Sequence, residues 1–328
     1  MSQPGIVLYH GVDSGAELRA YGRIAEDNSF DSLWVTERYF HEETFSLLGF
    51  LAAATQRIKL GVGVVNPYTR NPALLAMASA TLDRISGGRF VLGLGRSEKS
   101  VIQEKMGIAY GNARSTLSDT VAHLRKLFAG ERVTAMQGRY RLNGVRLATT
   151  PLQPRLPIYL SGIGAKGLRL IGEIADGAVL NAYAPPAYVR YAVAEIRNAA
   201  QAAGRDPQTL DIACMLVIRL TDDPTRMYPT LKQRLVRLLD EQYVGEILLE
   251  KGGFDPSILP ALRETVKKEG EKAAVHFITD AMVDAFYVVG PAERCRARIE
   301  EYRQAGVTAP LLLPRLEDYK RVAEACGG

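Results

Sequence analysis

KLGVGVVNPYTRNP, residues 59–72, begins as a strand and stops abruptly at Asn66-Pro67. Leu60, Val62, Val64 and Val65 make an apolar run that Gly61 and Gly63 interrupt. Glycine weakens a strand interior, so here the backbone bends or something approaches it closely. A strand apolar on both faces belongs in a parallel sheet covered by helices, rather than in a sheet with one wet face.

The same unit recurs along the chain: a short apolar strand, a small or polar loop, an amphipathic helix. Strands are expected at 6–9, 32–35, 58–65, 90–94, 157–160, 177–180, 211–220 and 310–313. Helices are expected at 15–28, 47–55, 73–85, 117–129, 166–175, 188–203 and 316–325. Such a series in a chain of 328 residues predicts an α/β fold, a single (β/α)8 TIM barrel spanning 1–328. An open doubly wound sheet is the alternative. Two insertions interrupt the series. Residues 130–156, before strand five, carry turn residues and alternation that suggest a short hairpin. Residues 224–285 follow strand seven, where Leu231, Leu235, Leu238 and Leu239 have helical spacing beside Lys232, Arg234 and Arg237. An amphipathic helix on the barrel surface is expected there, with a lid over the site as the alternative.

Composition narrows the function. The chain is 47% hydrophobic and 23% charged, which is ordinary globular usage. Its net charge of +5 is spread among acids, which argues against nucleic acid and leaves a modest preference for anionic small molecules. Cys214, Cys295 and Cys326 are widely spaced with no Cys-x-x-Cys, so neither a disulfide framework nor a zinc site is expected, and a reducing cytoplasm is. The N-terminal residues do not read as a secretory signal, and no apolar run approaches the roughly 20 residues that span a bilayer, so no membrane partner is expected. His10, His41, His123 and His276 are scattered without ligand spacing, so no metal is expected.

In such a barrel chemistry gathers at the C-terminal ends of the strands. Those positions hold His10, then Glu37, Arg38, Tyr39 and Phe40, then Asn66, then GRSEK at 95–99, then SGIGAKG at 161–167, then Asn181 and Tyr183, Arg219 and Arg315. GIGAKG matches G-x-G-x-x-G, but Asn181 stands where a dinucleotide unit needs an acid. What survives is a helix N-terminus whose free N–H groups suit a phosphate, or a tight turn that needs glycine for packing. The chain has no phosphate-binding G-x-x-x-x-G-K-[ST], no G-x-S-x-G and no H-E-x-x-H. A phosphate-binding turn without a nucleophile or metal cluster points to chemistry borrowed from a cofactor.

SLWVTERYF, IKLGVGVVNPYTRNPALLAMASATLDRISGGRFVLGLGRSEK and PIYLSGIGAKGLRLIGEIADGAVLNAY, taken in order, resemble the bacterial-luciferase-like superfamily. ATLDRISGGRFVLGLG carries the superfamily, and VGVVNPYTRNP the branch that uses the deazaflavin coenzyme F420, methylenetetrahydromethanopterin reductase especially. FYVVGPAERCRARIEEYRQAGV fits the family's C-terminal part, while 224–285 matches poorly. The resemblance implies a TIM barrel, a homodimer and a cis peptide between Gly63 and Val64 behind the tricyclic ring. Gly95 would belong to the same cofactor site. Asn66 would bond the cofactor's polar edge, and Ser161, Gly162, Ile163 and Gly164 its phosphate, with Asn181 and Ala182 nearby. Glu98 would be the proton donor or orienting carboxylate, or merely an acid at a helix N-terminus. Glu37 comes second. Arg38 stands where many relatives have His, which weakens any assignment of a catalytic imidazole. Arg38, Arg70, Arg96 and Lys99 would meet the cofactor's acidic tail or an anionic substrate. The implied reaction is hydride transfer between the deazaflavin and a small organic substrate. An FMN-dependent monooxygenase and a non-catalytic flavin- or deazaflavin-binding protein are the alternatives, and a nicotinamide-dependent dehydrogenase is disfavoured.

Overall fold

Leu33, Val35, Leu60, Val62, Leu92 and Leu94 are all fully buried, as strands covered on both faces require. The computed structural model describes residues 3–327. Its strands are β1 (Gly5–Leu8), β2 (Ser32–Val35), β3 (Lys59–Val62), β4 (Phe90–Leu94), β5 (Val133–Ala135), β6 (Leu142–Val145), β7 (Ile158–Leu160), β8 (Gly177–Leu180), β9 (Asp211–Leu220), β10 (Val288–Gly290) and β11 (Ala309–Leu313). Parallel pairing runs β1-β2-β3-β4-β7-β8-β9-β11 and returns to β1 through Gly5–Leu311, so the sheet is closed. The eight expected strands make this (β/α)8 barrel, and the open sheet is excluded.

β3 explains its own glycines. A Cβ on Gly61 would lie inside the indole of Trp34, its register partner on β2. A Cβ on Gly63 would come 2.5 Å from Met215 Cε, which reaches across from β9. The regular strand ends at Val62, short of the expected 65. Beyond it the Gly63–Val64 peptide is cis, and Val65 makes a parallel bridge to Leu94. The rest of the stretch is turn and cap. Asn71 Oδ1 accepts from Leu74 N at 2.9 Å and starts helix Pro72–Ile85, with Pro72 in the first turn, where its missing N–H costs nothing.

DRISGGRF, which closes that helix, ties down the floor of the barrel. Asp83 is fully buried and accepts from Leu152 N, Gln153 N and Gln153 Nε2 at 2.7, 3.0 and 2.6 Å. Gly87 and Gly88 both take positive φ (69° and 81°), a pair of left-handed residues that side chains resist. The Arg89 guanidinium then donates to Ser86 O, Thr55 Oγ1, Ile58 O, Ala52 O and Thr55 O. All five of its donors are used.

Two excursions leave the barrel. β5 and β6 form an antiparallel hairpin before β7, as the turn residues of 130–156 suggest. After β9 come helices Tyr228–Asp240, Val244–Gly252, Leu259–Glu269 and Asp280–Phe286, and then β10. β10 was not expected. It pairs with the last residues of β9, Val288 with Ile218 and Gly290 with Leu220. Among the described residues no helix is long and apolar enough to cross a membrane.

Candidate active site

A cavity of about 780 Å³ opens at the C-terminal ends of the strands. Its first wall comes from β2, β3 and β4. Gly63 and Val64 form the floor, Asn66, Gly95 and Glu98 surround them, and Glu37 and Tyr39 stand above. Asn66 is only 2% exposed, and its side chain is largely used within the protein. Oδ1 accepts from Tyr68 N at 2.9 Å and Thr69 N at 3.0 Å, which folds the turn. Nδ2 donates to the Tyr39 hydroxyl at 2.7 Å, and that hydroxyl also pairs with Ser97 Oγ. The wall therefore presents a phenol that Asn66 positions. Burial pushes the Tyr39 hydroxyl above its usual pKa.

Glu37 is locked in an ion pair with Arg70, which also binds Glu43. Arg70 is thus committed to two carboxylates. Arg38 donates to the Tyr9 hydroxyl and lies over its ring, 5.3 Å from the centroid. His10 also lines the cavity and stacks on His41 at 4.2 Å. Burial, then the nearby His41 and Arg38, lower the His10 pKa against the pull of Glu42.

The second wall carries Ser161, Gly162, Ile163, Asn181 and Ala182. Ser161 Oγ donates to Asn181 Oδ1 at 3.2 Å. A Cβ on Gly162 would come 3.0 Å from the Gly167 carbonyl carbon, so the turn does need glycine for packing. Gly164 stands apart from the other predicted residues. It precedes helix Ala165–Ile174 without a side-chain cap, but it is buried under the Tyr243 hydroxyl and does not line the cavity.

The third wall joins Met215, Val217 and Arg219 of β9 to Arg234, Leu238, Glu241 and Val244 of the excursion. Helix Tyr228–Asp240 buries Leu231, Leu235 and Leu239, as the sequence spacing implies, but its other edge faces the cavity instead of bulk solvent. Arg234, Leu238 and Glu241 follow each other at i, i+4 and i+7, a stripe that sequence reading could have picked out. The Glu241 carboxyl is pushed above its usual pKa by burial and then by Glu98, against the pull of Arg96. Glu98, Glu241 and Arg96 thus influence one another at the mouth.

The site has an apolar floor, a positioned phenol and paired carboxylates. Among the described residues no group of His, Cys, Asp and Glu is placed to hold a metal. Ser97 and Ser161 have no histidine partner to activate them. Such a cavity binds, orients and moves protons while a bound cofactor supplies the chemistry.

The chain matches the family described as luciferase-like monooxygenase over residues 2–309. It is 34% identical to 5,10-methylenetetrahydromethanopterin reductase of Methanolobus tindarius over 298 residues, covering 90% of this chain and 89% of the relative. It is 31% identical to the F420-dependent glucose-6-phosphate dehydrogenase of Nakamurella multipartita, covering 70% and 71%. The crystal structure of the coenzyme F420 dependent tetrahydromethanopterin reductase from Methanopyrus kandleri superposes with a TM-score of 0.84 at 25% identity, covering 99% and 98%. With the family matched over residues 2–309, and a relative this similar along 90% of the chain, the protein belongs to the luciferase-like monooxygenase family.

Proposed function

We propose that this protein is a coenzyme F420-dependent oxidoreductase that transfers a hydride between the deazaflavin and a small organic substrate. The likeness to the two reductases, along almost the whole chain, carries the reading. The cavity fits the cofactor. Beside Val64 there is no room for even a methyl group on Gly95, whose Cβ would come 2.6 Å from Val64 Cγ2. Gly63, Val64 and Gly95 thus give this part of the cavity an apolar surface with no side chain at either glycine to stand in the way of a flat ring.

A bound deazaflavin would supply hydride chemistry. Val64 and Met215 would support its ring and keep water from it. Ser161, Gly162 and Ile163 would offer backbone donors to its phosphate, with Asn181 and Ala182 beside them and Gly164 shaping the turn from beneath Tyr243. Asn66 would act through Tyr39, whose hydroxyl it positions. Glu98, sharing the mouth with Glu241, would handle the accompanying proton. Glu37, bound to Arg70, would orient this wall.

FMN, which the alternative monooxygenase reading would use, is the competing cofactor. Titrating the apoprotein with each and following fluorescence separates the two. Saturable quenching with F420 and none with FMN supports the proposal; tight FMN binding without an F420 response refutes it. We extend the proposal to a cytoplasmic homodimer. Leu74, Met77 and Ile85 stand exposed on helix Pro72–Ile85, and the three thiols are free and buried. Light scattering of the purified protein reads the mass.

A further inference from the structure

Arg219 is 5% exposed and has no carboxylate partner among the described residues. A buried charge is costly unless something compensates it. Here only carbonyls do so. Nη1 donates to Ile218 O at 2.6 Å and Leu313 O at 3.2 Å, which fixes the guanidinium plane. Nε and Nη2 have no partner among the described residues, and the side chain lines the cavity in the same alternating row as Met215 and Val217.

Its neighbours add positive charge. Arg234 lines the same wall from helix Tyr228–Asp240 and has no ion pair among the described residues. Arg315 stands close by but is neutralised by Glu317 at 2.8 Å and Asp318 at 3.2 Å. Burial, then Arg315 and Arg234, weaken the hold of Arg219 on its proton, and only the phenols Tyr183 and Tyr287 oppose them. Of the acids that line the cavity, Glu37 and Glu98 follow β2 and β4, Glu317 is paired with Arg315, and Glu241 stands at the end of the helix that carries Arg234, with no ion pair to Arg219 or Arg234 among the described residues. The cavity therefore has a basic pole on β9, and in the closed ring of eight strands β9 stands diametrically across from β3.

We infer that Arg219 and Arg234 seat an anionic substituent of the substrate, a carboxylate or a phosphate, on the wall opposite the Gly63–Val64 floor. The inference rests on the deazaflavin reading only in assigning the β3 side, with Met215 that reaches across to it, to the cofactor and the Arg219 end of β9 to the substrate. A fixed guanidinium with one edge open pairs two N–H groups with two oxygens of such an anion, and Arg234, exposed on the same wall, adds a second charge. The ligand then supplies the counter-charge that the protein withholds.

Calorimetric titration of the full chain with inorganic phosphate, and separately with succinate, tests the seat. Saturable binding of at least one anion is expected, about tenfold weaker in Arg234→Ala and about a hundredfold weaker in Arg219→Met. Arg234 is exposed, so its variant keeps the test valid if Arg219→Met fails to fold. Arg219→Lys should recover part of the loss. No saturable binding, or equal affinity in wild type and Arg234→Ala, overturns the inference. F420 titration of the same variants distinguishes the sources of charge. Unchanged F420 affinity supports a substrate seat, whereas parallel loss of F420 and phosphate assigns the arginines to the cofactor's acidic tail and overturns it. If F420 fails to bind the wild type while arginine-dependent phosphate binding persists, the cofactor reading falls and the seat stands.

Discussion

Gly95→Ala adds one methyl group to the wall against which the flat ring is proposed to lie. The new Cβ would fall 2.6 Å from Val64 Cγ2 and 3.7 Å from Ser161 Cβ. Carbon atoms rest at about 3.5–4.0 Å, so only the first contact is short, by about 1 Å. Val64 is β-branched and stiff at χ1, so its methyl cannot swing away as the end of a long chain would. Val64 Cγ1 occupies space that Gly93 leaves free, 3.0 Å from where a Cβ there would be, and Val64 has room to move toward the cavity it lines. Overpacking of this kind costs about 1–3 kcal/mol. With the cavity side open, stability bears about 1 kcal/mol or less, the cost of one off-rotamer side chain. The remainder appears when a ligand needs the same space. At about 1.4 kcal/mol per factor of ten, a remainder of up to about 2 kcal/mol lowers F420 affinity by up to about 30-fold. Fluorescence quenching gives the affinity, and a thermal melt of the same preparation gives the stability. Unchanged affinity refutes the wall, and a large loss of stability with unchanged affinity makes Gly95 a packing residue only.

Asp83→Ala strands three donors at the barrel floor and should cost about 2–4 kcal/mol in urea unfolding, with F420 binding little altered at low urea. Gly172→Ala drives a Cβ into the Ile196 carbonyl oxygen, where backbone cannot yield, so the melting midpoint should drop sharply. Glu241→Gln tests the mouth by pH. The folded carboxyl holds its proton more tightly than the unfolded one, so the wild type loses stability as pH rises from the ordinary carboxylate value through the raised one. The melting point of Glu241→Gln should therefore climb relative to wild type between about pH 4 and pH 8; a constant gap, or one that shrinks, contradicts the assignment.

The barrel was legible because β2, β3, β4, β8 and β9 are largely buried and read as mostly apolar runs. β10 was not, since three residues carry no period and its pairing with β9 is decided by packing. The cavity was legible where residues sit at strand ends, from His10 to Arg315. Their roles were less so. Asn66 reads as a ligand-facing amide until Tyr39 is seen against it, and Arg70 reads as a free cation until Glu37 and Glu43 close on it. Those partners are 27, 33 and 27 residues away, beyond any local pattern. Glu241 and Arg234 were missed for a different reason. A leucine stripe labels the buried side of a helix, and nothing in it says that the opposite edge overlooks a cavity.

The excursion between β9 and β10 begins and ends at one place. Thr221, the first residue past β9, donates to Gly290 O, the last of β10, at 3.0 Å. The barrel meanwhile closes without it, because β11 pairs directly with β9 from Ala309–Ala213 to Leu313–Val217. Residues 222–289 are thus a cassette fastened at its root, exchangeable in length and sequence without a break in the hydrogen-bonded ring. Since this cassette brings Arg234 and Glu241 to the mouth, descent with modification can change which molecules are admitted while the floor beneath stays as it is.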